Sequence, residues 1–334
     1  MIRLIKRLFF LLILLAVLTA WYCLRQFPPS ADPGFGLNFS LTHAQYLGLD
    51  WKKMYVDMLE ELQPRRLRVM GLWEVIEPEQ DKFNFRDIDF IVREAEARKV
   101  KLILTLGLKQ PGWPECHEPE WIREQELGIR NQKLLEFITA TVQRYKINKA
   151  ISAWQVENEP FFVFGPNCPA VDRDLLQREI ALVRSLDSRP IVLTDSGEKG
   201  SWLWVGGFGA DIFGSTMYRK VYQDKWKLYV TYPLPAGFYR IKAGLLKIFY
   251  PRLKSIIGVE LQGEPWFKSD VYQTPWNEQK TLMNSQILKD NADYARRAGF
   301  AENYFWGVEW WYWAKVQQHD PALWETAKVI FNSQ

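Results

Sequence analysis

Apolar positions recur along the chain with two periods. After an uncharged apolar run at Leu8–Leu24, short apolar stretches of strand length alternate with longer segments at helical spacing. The strands are expected at Gly36–Ser40, Leu67–Leu72, Val100–Leu106, Ile151–Val156, Pro190–Thr194, Asp211–Thr216, Ser255–Glu260 and Tyr304–Val308. Between them, Asp50 is expected to cap a helix running to about Gln63, with Met54, Met58, Leu59 and Leu62 inward, and Asn84 one running to about Arg98, with Ile88, Ile91, Val92 and Ala95 inward. Further helices are expected near 132–145, at Leu175–Leu186 and Tyr239–Phe249, and near 281–298 and 322–331. The crossover after the fifth strand is the poorest. Continuous runs such as VKLILTL are what strands buried on both faces require. Eight βα units in about 300 residues predict an α/β fold, a closed (β/α)8 TIM barrel.

Arg3, Lys6 and Arg7 precede the apolar run, and no small-residue cleavage site follows it: position 18 is Leu, and Ala20 is followed by Trp21. The pattern favours an uncleaved, single-pass signal anchor, spanning the membrane through residues 8–24 with its N-terminus cytoplasmic and the rest of the chain periplasmic or extracellular. Pro28, Pro29, Ser30, Pro33 and Gly34 then form a linker. Residues 1–30 are therefore expected to be anchor and linker, and 31–334 one catalytic domain, working as a monomer.

Composition narrows the chemistry. The 334 residues carry 43 Lys plus Arg and 39 Asp plus Glu, and dropping residues 1–30 leaves 39 of each. A net-neutral body argues against a nucleic-acid binder. No CxxC, HExxH or glycine-rich phosphate loop occurs, so no metal or organic cofactor is implied. The 16 Trp, 14 Tyr and 20 Phe suit flat apolar surfaces that meet polar partners, as in sugar clefts and membrane interfaces.

In such a barrel, side chains at the C-terminal ends of the strands carry the chemistry. The fourth strand ends WQVENEP, placing Asn158 and Glu159 on the rim. The seventh runs SIIGVELQGEPW, so Glu260 closes an apolar run, with Glu264 four residues later as its rival. Two rim carboxylates from opposite sides are what glycosidic cleavage needs, one to protonate the leaving oxygen and one to attack or to assist water. A strand end is more rigid than a loop, which favours Glu260 over Glu264; Glu264 and Gln262 are then placed to contact substrate. Glu159 also has a plain reading as a helix start.

These residues resemble the retaining glycoside hydrolases of clan A, in particular its cellulase-like, family 42 and family 39 types. LRVMGLWEVIEPEQDKFNFRDID at 67–89 is similar to the clan's second strand and the turn after it, with Asp81-Lys82 where a Gly is expected. YFWGVEWWYW at 304–313 is similar to its Trp-ended eighth strand. The resemblance covers about 36–331. It implies Glu159 as acid/base with Asn158 orienting substrate, Glu260 as nucleophile tuned by Arg68 and Tyr218, and Trp310 or Trp311 as a sugar platform. An Arg beside Glu260 would favour its charged form, while burial would keep Glu159 protonated. The activity implied is double displacement on a β-linked oligo- or polysaccharide. A transglycosylase of the cell envelope or a non-catalytic glycan-binding barrel would use the same scaffold.

Other features stay open. Trp113 and His117, after the third strand, are placed to line the cleft, though an ordinary loop histidine explains His117 equally well. Cys116 and Cys168 fall in neighbouring loops and could pair outside the cytoplasm. Arg68 has a rival reading as a structural ion pair; Glu157 reads as an ion pair inside the barrel, and Glu309 as structural. Residues 219–254 hold nine basic residues, one acid (Asp224) and eight interleaved aromatics, which suits either a membrane-surface contact or a helix packed on the barrel with a solvated basic face.

Overall fold

The computed structural model describes residues 2–25, 27–30, 34–163, 168 and 171–332. Pro33 of the expected linker lies outside them. Ten strands occur among the described residues: β1 (Phe35–Phe39), β2 (Arg66–Met70), β3 (Lys101–Leu106), β4 (Ile151–Val156), β5 (Ile191–Asp195), β6 (Ile212–Met217), β7 (Lys220–Gln223), β8 (Leu228–Thr231), β9 (Ser255–Gln262) and β10 (Asn303–Trp306). Eight of them close a parallel barrel in the order β1-β10-β9-β6-β5-β4-β3-β2. The expected TIM barrel is present, with β9 and β10 as its seventh and eighth strands. The antiparallel pair β7–β8 is an insertion that the sequence reading missed.

Helix ends follow local chemistry. Asp50 caps Trp51–Glu61 through the amides of Lys52 and Lys53, and Asp172 caps Arg173–Leu186 through those of Asp174 and Leu175. Asn84 is not a cap: the helix begins at Arg86, and the Asn84 side chain accepts from the Arg86 amide just ahead of it. The segment read as one helix over 281–298 is two, Trp276–Leu282 and Ser285–Ala298, because Asn284 caps the second. The weak fifth crossover is the five-residue helix Trp202–Gly206.

Alternation sorts each strand into an outer and an inner set. Leu102, Leu104, Trp154, Leu193 and Phe305 face the helices, while Ile103, Ala153, Val192, Ile257, Val259 and Tyr304 pack together as a separate apolar floor inside the barrel. Strict alternation from Ile257 and Val259 would turn Glu260 outward and Leu261 inward. The reverse is found, because β9 carries one extra residue. Ser215 pairs Gly258 but Thr216 pairs Glu260, and on the other side Asn303 pairs Gly258 while Phe305 pairs Leu261. This β-bulge aims Glu260 into the mouth. The buried Val259 carbonyl at the bulge accepts from the Asn38 side-chain amide at 2.8 Å.

The eighth strand also differs from expectation. It stops at Trp306, because Gly307 (φ 117°) turns the chain into the helix Val308–Gln317. A Cβ at 307 would come within 3 Å of Glu264, so only glycine fits. Trp310 and Trp311 therefore lie on a helix, fully buried, donating to Gln279 Oε1 (2.9 Å) and to the Gly263 carbonyl (2.7 Å). Neither offers an exposed ring face for a sugar platform.

Ahead of the barrel, the helix Ile2–Leu24 contains the one stretch among the described residues, Lys6–Leu24, that is long and apolar enough to cross a membrane. Trp311→Ala is expected to lower unfolding free energy by about 3–5 kcal/mol in denaturant titration, as for other buried large-to-small changes.

Candidate active site

The mouth is organised around Arg68, whose side chain is wholly buried. Its Nε donates to Gln155 Oε1 (2.7 Å), Nη2 to Asn158 Oδ1 (2.7 Å), and Nη1 to Asn38 Oδ1 (3.0 Å) and Glu260 Oε1 (2.9 Å). These partners come from β1, β4 and β9 and from the turn after β4. The other Glu260 oxygen accepts from the Tyr218 hydroxyl at 3.0 Å. Tyr218 is itself placed by Glu198, which accepts from its amide (2.6 Å) and from the Tyr239 hydroxyl (2.8 Å). Glu198 escaped the sequence reading, because a loop glutamate carries no pattern.

Glu159 sits across the mouth on the turn after β4. Glu157 (φ 57°) and Glu159 (φ 44°) both hold left-handed backbone, a conformation that costs a non-glycine residue on the order of 1 kcal/mol or more. The turn is held by its neighbours. Asn158 N–H donates to the Lys109 carbonyl, Glu159 N–H donates to Thr194 Oγ1, and Lys109 Nζ donates to the Glu159 and Phe162 carbonyls. Burial, then the negative charges of Glu260, Glu115, Asp195 and Glu198, hold the Glu159 carboxyl well above the usual range. Both causes favour its protonated form.

Glu157 does not make the expected ion pair. Its carboxylate accepts the amides of Leu108 (2.7 Å) and Lys109 (2.6 Å) and faces the buried Glu179. Burial raises both carboxyls; Glu157 raises Glu179 further, whereas the two backbone amides and the bond to Glu179 pull Glu157 down. Around the rim, burial pushes Glu115 up to about 7 against the nearby Lys109, Asp195 to about 6 and Glu264 to about 8.

The remaining expected site residues divide. Glu264 lies at the mouth but touches neither Arg68 nor Tyr218; it accepts from Trp306 Nε1 at 2.7 Å. Trp306, not Trp310 or Trp311, is the rim tryptophan of the eighth strand, and the ring of His43 stacks on it at 6.3 Å. Both were missed, Trp306 because the strand was read as running on to Val308. His117 Nδ1 pairs with Glu74 at 2.8 Å and Trp113 stays exposed. Glu309 is buried behind His43, with the Ser40 amide donating to it. Cys116 and Cys168 form a disulfide that ties the loop after β3 to the loop after β4. With the apolar N-terminal helix, a disulfide points to the secretory route.

Comparison with known proteins bears on the barrel and on part of its family resemblance. Residues 70–167 match the model of glycosyl hydrolase family 10. A mannan endo-1,4-beta-mannosidase A of Emericella nidulans is 22% identical over 163 residues, 43% of this chain and 41% of that protein. The chain thus spans less than half the length of this curated relative. A family 10 endo-beta-1,4-xylanase from Gloeophyllum trabeum superposes with a TM-score of 0.55 at 15% identity, over 85% of this chain and 84% of that one. Xylanase 10B of Thermotoga petrophila, solved with xylobiose, gives 0.53 at 17% identity, over 83% of each chain. A beta-galactosidase from Marinomonas ef1 gives 0.56 at 12% identity, over 89% and 59%. The chain resembles the clan A glycoside hydrolases. At these identities the solved structures establish the shared barrel, while the family match runs from the end of β2 past the Asn158-Glu159 turn to residue 167.

The raised carboxyls fix a direction for stability against pH. Glu115 (about 7), Glu264 (about 8), Glu159 and Glu179 all sit above the 4.5 of an ordinary glutamate, so between these values the folded chain binds more protons than the unfolded one. Stability then falls as pH rises through that window. Calorimetry should show Tm declining from pH 5 to pH 8, and Glu179→Gln should flatten the decline.

Proposed function

We propose that this chain is a retaining glycosidase that cleaves a β-linked glycan by double displacement. Residues 1–30 would serve as an uncleaved membrane anchor with its linker, and 31–334 as the extracytoplasmic catalytic domain. One observation carries the reading: two buried glutamates share the mouth in opposite environments. Glu260 lies between the Arg68 guanidinium and the Tyr218 hydroxyl, while burial and the surrounding negative charge favour the protonated form of Glu159. That is the division of labour needed for a nucleophile and an acid.

In the first step Glu159 gives its proton to the leaving glycosidic oxygen while Glu260 attacks the anomeric carbon. The arginine and tyrosine bonds orient the attacking carboxylate. As Glu260 becomes esterified, the negative charge that raised Glu159 is lost, and Glu159 is left as a carboxylate. In the second step it takes a proton from water, which attacks the glycosyl ester and frees Glu260. Trp306 is the flat apolar wall against which a sugar ring would rest, and Asn158, held by Arg68, is placed to meet its hydroxyls. The names of the similar proteins, with xylan, mannan and β-galactosides among their substrates, favour a β-linked polymer or its fragments.

Glu260→Gln should abolish release from aryl β-glycosides with the fold intact, and full activity would move the nucleophile to Glu264. Glu159→Ala should lower kcat by about 10²–10⁴ on poor leaving groups. It should cost far less on dinitrophenyl glycosides, and equal losses would refute the acid role. The first sugar released, followed by NMR, should keep the β anomer; inversion would exclude double displacement. Longer products, in place of free sugar, would indicate a sugar acceptor.

A further inference from the structure

We propose that the outer face of the helix Ala236–Phe249 is a second membrane contact, which seats the barrel on an anionic bilayer with its mouth turned outward. The inference rests on the reading of the N-terminal helix as an uncleaved anchor. The inner side of this helix buries Tyr239 and Leu246, but its last two turns present Leu245, Ile248 and Phe249 to solvent, exposed at 44%, 74% and 61%. Their spacing puts the three on one face. Leu203 extends the patch, its carbonyl accepting from the Tyr250 hydroxyl at 2.6 Å. Side chains of this size, clustered and exposed, mark a contact surface.

Two further observations choose the occupant. The first is continuity with the anchor. Gly237, in the first turn of the same helix, lies so close to the anchor's last turn that a Cβ there would come within 3 Å of the Tyr22 and Cys23 backbone. Next in the chain, Phe27 stacks under Arg240 (4.5 Å) and its carbonyl accepts from Arg297 (3.0 Å). The end of the apolar helix is thus seated on the helix that carries the patch. The second is charge. Lys247 and Arg252 stand exposed beside the patch, while the carboxylate nearby, Asp211, is already held by Arg184 (3.1 Å) and Lys254 (3.5 Å). An apolar face beside unneutralised basic groups suits the surface of an anionic bilayer.

The placement has a consequence for access. Lys254 N–H donates to the Asp211 carbonyl, linking the feet of β6 and β9, so the tip of the helix lies at the N-terminal end of the barrel. Glu159 and Glu260 open at the other end. The eight residues of β9 span about 26 Å at about 3.3 Å each, which lifts the mouth clear of the lipid to meet a glycan arriving from outside.

Hydroxyl-radical footprinting of the full chain, in vesicles of phosphatidylcholine with phosphatidylglycerol, tests this. Phe249 and Trp226, the latter on the β7–β8 turn, are equally exposed at 61%. After correction for intrinsic reactivity, Phe249 should be oxidised about ten-fold less than Trp226, as expected for a side chain withdrawn from water. Phe249→Asp should restore oxidation at Leu245 and Ile248 and leave aryl-glycoside turnover unchanged. Equal labelling of Phe249 and Trp226 would overturn the proposal. So would protection that grows with the protein-to-lipid ratio, which marks a second copy as the occupant, or release of the chain by alkaline extraction, which removes the anchor. Turnover is read separately, so a failure of the membrane contact is distinguishable from a failure of the glycosidase reading.

Discussion

The buried Arg68 guanidinium is the constraint on which the mouth of the barrel depends. A cation removed from water is tolerable only when its N–H groups are met and its charge is balanced. Here four side chains meet it, and one of them, Glu260, supplies the balancing charge. Because the partners come from β1, β4, the turn after β4 and β9, the requirement fixes four parts of the barrel relative to one another. It also fixes Asn158, and with it the turn that carries Glu159. An apolar floor of Ile103, Ala153, Val192, Ile257 and Val259 lies below and keeps water from competing from beneath.

The same region shows how one residue type is given two environments. Both glutamates are buried, so burial alone does not separate them. Glu260 receives an arginine and a tyrosine hydroxyl. The Glu159 amide donates to Thr194 Oγ1, and its carboxyl faces other carboxylates. Irregular backbone puts each in place: a bulge in β9 for one, and left-handed residues after β4 for the other. Hydrogen bonds from Asn38 to the bulge carbonyl and from Lys109 to the turn carbonyls hold these departures from regular strand geometry.

Much of this was legible in the chain. Short continuous apolar runs located all eight barrel strands to within about two residues, because burial on both faces of a parallel strand leaves few alternatives. Asn158, Glu159 and Glu260 stood out as polar residues ending apolar runs, and Arg68 and Tyr218 entered through the clan resemblance. What misled was also physical. The eighth strand reads as running on to Val308, since nothing in its hydropathy reveals that Gly307 turns the chain; the clan resemblance implies Trp310 or Trp311 as the sugar platform, and both belong to the core.

The sequence by itself determined the barrel, its apolar N-terminal helix and the residue types at the strand ends, because these follow from local periodicity and order along the chain. Only the tertiary structure decided which oxygen meets which donor. Arg68, Glu260 and Tyr218 lie up to 192 residues apart, and their meeting rests on barrel closure and on one extra residue in β9. The roles of Glu157 and Glu198 likewise emerged only on folding. A carboxylate's function is set by the charges, donors and water around it, and those are brought together from distant parts of the chain.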